Sequence, residues 1–226
     1  MLDISQLKLY DKEEEKKLYQ LPPKEGSYYV LNTRTTGLNK EDQIMEVGII
    51  KMEDGDIDPL RQHFCIKCSF LKDGKLTYKP GIENKYMTLS ENCYYQSEKE
   101  NLEDTLKQLE NSIVFAHDAI YHMNALNKEL KFWGLKELSI ENFRCSMLIF
   151  LKIIGKIDPC FENINYIPLD KCVEYFGDKM NKDEDIFKKT LYDSNMTAFV
   201  INNIYQKIKE NPMKFKDLYD NQKENF

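Results

Sequence analysis

Two apolar runs lying close together near the start of the chain constrain its fold more than any other feature. Tyr28 to Thr33 is rich in aromatic and β-branched residues, and Ile44 to Met52 (IMEVGIIKM) is mostly apolar. Thr36-Gly37-Leu38-Asn39 supplies turn chemistry between them, so the two read as neighbouring strands. Asp54-Gly55 is a hairpin signal leading toward a third strand near Gln62 to Phe70. Three strands on short turns imply an antiparallel meander.

The period then becomes helical. Leu102, Leu106 and Leu109 are spaced by four and three, which predicts a helix over Asn101 to Leu109. Ser112 to Ala116 (SIVFA) is a short apolar run of the kind buried mid-sheet. A further helix is expected from about His122 to Phe132, with Gly134 at its C′ position. Phe143 to Leu151 is apolar throughout, and periodicity leaves strand and helix both open. Pro168 is placed to open a helix that ends at Gly177, and a last helix is expected over Ser194 to Lys209. The order describes an α/β domain with a mixed central sheet flanked by helices.

Residues 1–26 read as a charged extension, with a short solvated helix over Asp11 to Tyr19 (DKEEEKKLY) stopped at Leu21-Pro22-Pro23. The domain is expected over residues 27–208 and a polar tail over 209–226. No run approaches 18 apolar residues, so no membrane helix is expected. The start lacks a basic region followed by an apolar one. Six cysteines follow no disulfide-scaffold spacing, so the expected setting is cytoplasmic or nuclear and not secreted. With 32 basic and 38 acidic residues the net charge is −6, which argues against a long basic groove and leaves room for a local patch. His63-x-Cys65-x-x-Cys68 invites a zinc reading, but no second Cys or His pair completes it. In a regular strand Cys65 and Cys68 face opposite sides.

Three blocks carry a resemblance. Leu31-Asn32-Thr33-Arg34-Thr35-Thr36-Gly37-Leu38 is similar to the first signature of the DnaQ-like 3′–5′ exonucleases, the DEDDh group of the ribonuclease-H-like superfamily. That signature reads hydrophobic-Asp-x-Glu-Thr-Thr-Gly-Leu. Ile44-Met45-Glu46-Val47-Gly48-Ile49 resembles the strand that follows it. Ala116-His117-Asp118-Ala119-Ile120-Tyr121-His122 resembles the second signature, Ala-His-Asn-Ala-x-Phe-Asp, and Lys188-Lys189-Thr190-Leu191-Tyr192-Asp193-Ser194 the third, His-x-Ala-x-x-Asp-Ala. The likeness runs from about residue 27 to 206 and implies the exonuclease fold: a three-strand antiparallel meander plus parallel strands, flanked by helices.

The resemblance also implies a two-metal site of carboxylates with a histidine general base. Here its five positions hold Asn32, Arg34, His122, Lys188 and Asp193, so only the last carboxylate matches. Residues 32 and 34 lie two apart on a strand and share a face, and a guanidinium there cannot deprotonate to admit a divalent cation. The expectation is a chain with no catalytic residue and no Mg or Mn cofactor, in which Arg34 pairs with Asp193. The leading reading is an inactive exonuclease-fold domain that binds a protein partner as a scaffold, in an RNA-processing setting by resemblance. A second reading is a metal-independent binder of single-stranded RNA or DNA through Arg34, Thr35, Thr36 and Lys188. A third relocates the metal to Glu46, Asp118 and Asp193. A homodimer is compatible with each.

Overall fold

The computed structural model describes residues 16–21, 26–35, 44–57, 62–65, 69–72, 75–78, 98–180 and 189–216. The two apolar runs become β1 (Ser27–Thr35) and β2 (Ile44–Glu53), paired antiparallel from Ser27 opposite Glu53 to Arg34 opposite Glu46. A register shift follows between Arg34 and Thr35, at the end of β1 that carries the motif residues.

The meander departs from expectation in its third strand. Asp54 (φ 51) and Gly55 (φ 88) form the turn, but it feeds only a short β3 (Asp56–Ile57). β4 (Gln62–Cys65) then pairs with β2 farther along, opposite Glu46 to Ile49. Instead of continuing to Phe70, the chain forms a separate hairpin of β5 (Ser69–Lys72) and β6 (Lys75–Tyr78). Local β propensity does not tell which strand a segment will pair with. His63 and Cys65 lie on β4, and Cys68 falls outside the described residues.

After α1 (Glu98–Leu109), β7 (Val114–Ala116) enters the sheet parallel to β1. α2 (Ala119–Phe132) ends at Trp133 with Gly134 at φ 68, the left-handed stop its sequence implies. The ambiguous run from Phe143 is both things in turn: β8 (Phe143–Cys145) pairs parallel with β7, and α3 (Ser146–Ile154) follows at once. Both pieces are buried, which removes the polar alternation that would have told them apart. α4 (Leu169–Tyr175) and α5 (Lys189–Glu210) complete the domain. The main sheet runs β3-β2-β1-β7-β8, with β4 on β2.

α5 lies across β1 and β2. A Cβ placed on Gly48 would come within 2.5 Å of the Thr190 backbone, so the sequence Glu-Val-Gly is what lets this helix touch the strand. Packing also extends past both expected domain boundaries. Leu18 is fully buried in the core, Lys17 bonds Glu141 at 2.8 Å and Lys152 lies over the Tyr19 ring, so the end of the charged lead-in docks on the domain through its apolar residues. Phe215, beyond α5, is 1% exposed. Among the described residues no helix is long and apolar enough to cross a membrane.

Candidate functional site

The end of β1 gathers four of the five motif positions. Asn32 and Arg34 share a face of the strand; Asn32 is buried, and the Arg34 side chain is 22% exposed. Directly across the β1–β2 ladder from Arg34 stands Glu46. Arg34 Nη1 donates to Glu46 Oε2 at 3.3 Å, and Glu46 Oε1 accepts from Thr190 Oγ1 at 2.8 Å and from the Thr190 backbone N–H at 3.4 Å. The carboxylate is thus buried, but it is matched by a guanidinium on one oxygen and by the first turn of α5 on the other. Sequence reasoning did not name Glu46 as the partner of Arg34. The signal was present, since the two strands were expected to pair, but the register was not.

Asp193 sits one turn after Thr190, so the two lie on one side of α5. It is half-buried, and the next residue, Ser194, donates through Oγ to the Gly48 carbonyl at 3.1 Å. Gly48 is in turn the cross-strand neighbour of Asn32. The helix is therefore stapled to β2 at the level of the motif residues. Lys188 falls outside the described residues, as do Thr36 and Gly37. The Arg34–Asp193 pairing stays a proposal.

His122 comes from the second block, on the first turns of α2. Its Nδ1 accepts the Thr33 backbone N–H at 3.1 Å and lies 2.8 Å from Thr33 Oγ1. Accepting there fixes the ring as the neutral Nε2–H tautomer. Burial lowers its pKa to about 3; nearby His117 lowers it further, and a hydrogen bond to the His117 backbone opposes the shift. The imidazole therefore ties α2 to the strand residue between Asn32 and Arg34. Next to it, the Thr35 hydroxyl and the Tyr121 phenol are 2.6 Å apart, a second tie between the same elements that the motif comparison missed.

His117 holds the loop before α4: its Nε2 donates to the Ile167 carbonyl at 2.8 Å, and Nδ1 meets Ser146 Oγ at 3.1 Å. Burial drops its pKa to about 4. Asp118 caps α2 from the left-handed region at φ 62, a conformation Asp and Asn adopt more readily than other residues. Among the described residues its buried Oδ1 has no hydrogen-bond partner, and burial pushes its pKa up to about 6 against a backbone hydrogen bond from Tyr121. Among the described residues, no three His, Cys, Asp or Glu side chains converge in a metal-ligating arrangement.

No family model matches the chain. DNA polymerase III subunit epsilon of Buchnera aphidicola from Acyrthosiphon pisum is 26% identical over 183 residues, 78% of this chain and 70% of that protein. The subunit of the same name from the Schizaphis graminum strain is 25% identical over the same length. Among solved structures, a metal-free complex of Escherichia coli exonuclease I with single-stranded DNA superposes at a TM-score of 0.59 and 11% identity, over 87% of this chain and 42% of that one. A product-bound exonuclease I gives 0.53 at the same identity and 46% of its chain. This chain therefore spans less than half the length of those exonucleases. The fold is that of a DnaQ-like exonuclease domain of the ribonuclease-H-like superfamily, as the three sequence blocks imply.

Proposed function

We propose that this domain keeps the exonuclease fold without its two-metal chemistry and works by binding, as a scaffold within a nucleic-acid-processing assembly. The carrying observation is the Arg34–Glu46 pair. Two divalent cations need several carboxylate oxygens facing one space. The side chains here do not fit that pair of ions: a fixed guanidinium stands on the strand, Asn32 is neutral, and the nitrogen His122 could offer at Nδ1 is already taken by the Thr33 amide. In the same proposal Arg34 also pairs with Asp193, so that the cation holds the site's carboxylates together.

A second reading has one observation in its favour. Arg34 retains 22% of its side-chain exposure at the strand end, beside Thr35, where a cation can meet a phosphate without metal. The exonuclease I structure named above holds single-stranded DNA in metal-free form, which makes that ligand a sensible probe. Lys188 would supply a second cation. The competing third reading assigns a metal to Glu46, Asp118 and Asp193. Against it, both Glu46 oxygens already carry hydrogen bonds.

One experiment separates the three. Melting temperature is followed with Mn²⁺, with short single-stranded RNA and with short single-stranded DNA, and the same samples are assayed for shortened oligonucleotide. No metal shift and no degradation support the inactive domain. An oligonucleotide shift that needs no metal, falls with salt and disappears in Arg34→Ala/Lys188→Ala moves the assignment to the second reading. Mn²⁺-dependent degradation lost in Asp193→Ala overturns the inactive assignment.

A further inference from the structure

The far end of the same sheet face holds a separate cleft. Side chains alternate along β1, so Tyr28 points to the side occupied by Asn32 and Arg34. Between Arg34 and Tyr28 the strand covers about 20 Å at 3.3 Å per residue. Between Asp193 and Tyr205 the helix α5 advances about 18 Å at 1.5 Å per residue. The motif residues and the cleft therefore lie under opposite ends of one helix. A cavity of about 370 Å³ is lined there by Tyr28, Asp54, Asp56, Asn202, Tyr205 and Lys209, together with Gly55 and Gln206.

An unmatched group points to a ligand. Tyr28 is 1% exposed, and its hydroxyl has no hydrogen-bond partner among the described residues. A buried hydroxyl left so costs stability unless something answers it. Burial raises the pKa of Tyr28 and of Tyr205, and the nearness of Tyr28 raises that of Tyr205 further, so both phenols stand protonated at the cleft. Two hydrogen bonds tie other lining residues in place. Asp54 is held in the turn by Gly26, whose N–H donates to its Oδ1 at 2.8 Å, and Asn202 Nδ2 donates to the Gly55 carbonyl at 3.1 Å.

The lining groups select a chemistry. An anion would face two carboxylates, with only Lys209 among the lining residues to offset them. An apolar molecule would leave the Tyr28 hydroxyl unanswered. An alkylammonium presents several N–H donors, which suit two carboxylates and a phenol oxygen, and aromatic faces favour it further. We propose that this cleft binds a small organic ammonium held by Asp54, Asp56 and the Tyr28 hydroxyl. The group can arrive on a free amine or as a lysine side chain on a partner polypeptide.

The test uses the full chain. Melting temperature and amide NMR shifts are followed with putrescine, with Nα-acetyl-lysine methylamide, and with sorbitol and inorganic phosphate as neutral and anionic controls. The expected result is a concentration-dependent rise of about 2–4 °C with one or both amines at a few times their Kd, which corresponds to about 1 kcal/mol of ligand stabilisation. Shifted amides should map to residues 54–56 and 202–209. A response to putrescine alone identifies a free amine, and a response to the lysine derivative identifies a side chain.

Two variants isolate the groups. Tyr28→Phe removes the unmatched hydroxyl, so the unliganded protein keeps or raises its melting temperature while the amine response falls at least several-fold. Asp54→Asn removes a charge but keeps a residue suited to the turn before Gly55; its amine response should fall likewise. No amine response, an equal response to sorbitol or phosphate, or amine responses unchanged in both variants would overturn the assignment.

Discussion

Two neutral imidazoles and one strained carboxyl set the acid behaviour of single residues here. His117 and His122 are buried with pKa values of about 4 and about 3, against 6.5 for a free side chain. Between those limits the unfolded chain binds more protons than the folded one, so their contribution is complete above pH 6.5 and is lost as pH falls toward 3. Each pKa unit corresponds to about 1.4 kcal/mol. His122→Gln offers a carbonyl to the same Thr33 amide without titrating. Its melting temperature should fall less than wild type's between pH 6.5 and 4, as thermal melts across that range would show. Asp118 works the other way: its raised pKa, about 6 against 3.8, favours the folded state at low pH, and that advantage is lost as pH rises through 6. Asp118→Asn keeps a residue at ease at φ 62 and removes the charge, so it should stabilise by about 1–2 kcal/mol at pH 7 and by little at pH 3.5. Denaturant titrations at the two pH values check the difference. The motif comparison located these residues, but the left-handed backbone at Asp118 and the bond from Thr33 to His122 come from contacts between elements.

At the scale of elements, the junction of α5 with β2 decides where the motif residues stand. Thr190 and Ser194 both bond to β2, at Glu46 and at Gly48. Gly48→Ala forces a methyl into the Thr190 backbone, which cannot yield as a side chain would. We expect a loss of about 2–4 kcal/mol, measured by urea denaturation, since α5 must lift from the strand. Arg34→Ala removes the guanidinium that faces the buried Glu46 carboxylate. About 1–3 kcal/mol should be lost, less than for a fully buried pair because Arg34 is partly exposed. The helix itself was expected to begin at Ser194 and begins at Lys189. Lys189, Thr190 and Asp193 carry no apolar period, so the first turn shows no helical signal in the sequence. Its contacts to Glu46 hold it in place. The third strand pairs antiparallel with β2 as expected but stops at Cys65 rather than running to Phe70, because continuous β propensity does not mark where the chain leaves the sheet for a separate hairpin.

Across the whole molecule, the core draws on residues at both margins of the expected domain. Leu18→Ala should cost about 2–4 kcal/mol, because a fully buried leucine leaves a cavity; a chain cut before residue 26 should lose at least as much. Chemical denaturation of both forms would show it, and an unchanged midpoint would mean the lead-in docks without contributing to stability. The sequence by itself determined the fold class, most of the order of strands and helices along the chain, and the identities of the five motif side chains. Those follow from local periodicity, turn chemistry and motif spacing, all of which act within a few residues. Only the tertiary structure decided that Glu46 receives Arg34, that Thr33 holds His122 neutral, and that Leu18 closes the core. The Arg34–Glu46 and Thr33–His122 contacts join residues 12 and 89 positions apart, and the ion pair beside Leu18 joins Lys17 to Glu141; such pairings depend on strand register and helix placement, which no short stretch of sequence encodes.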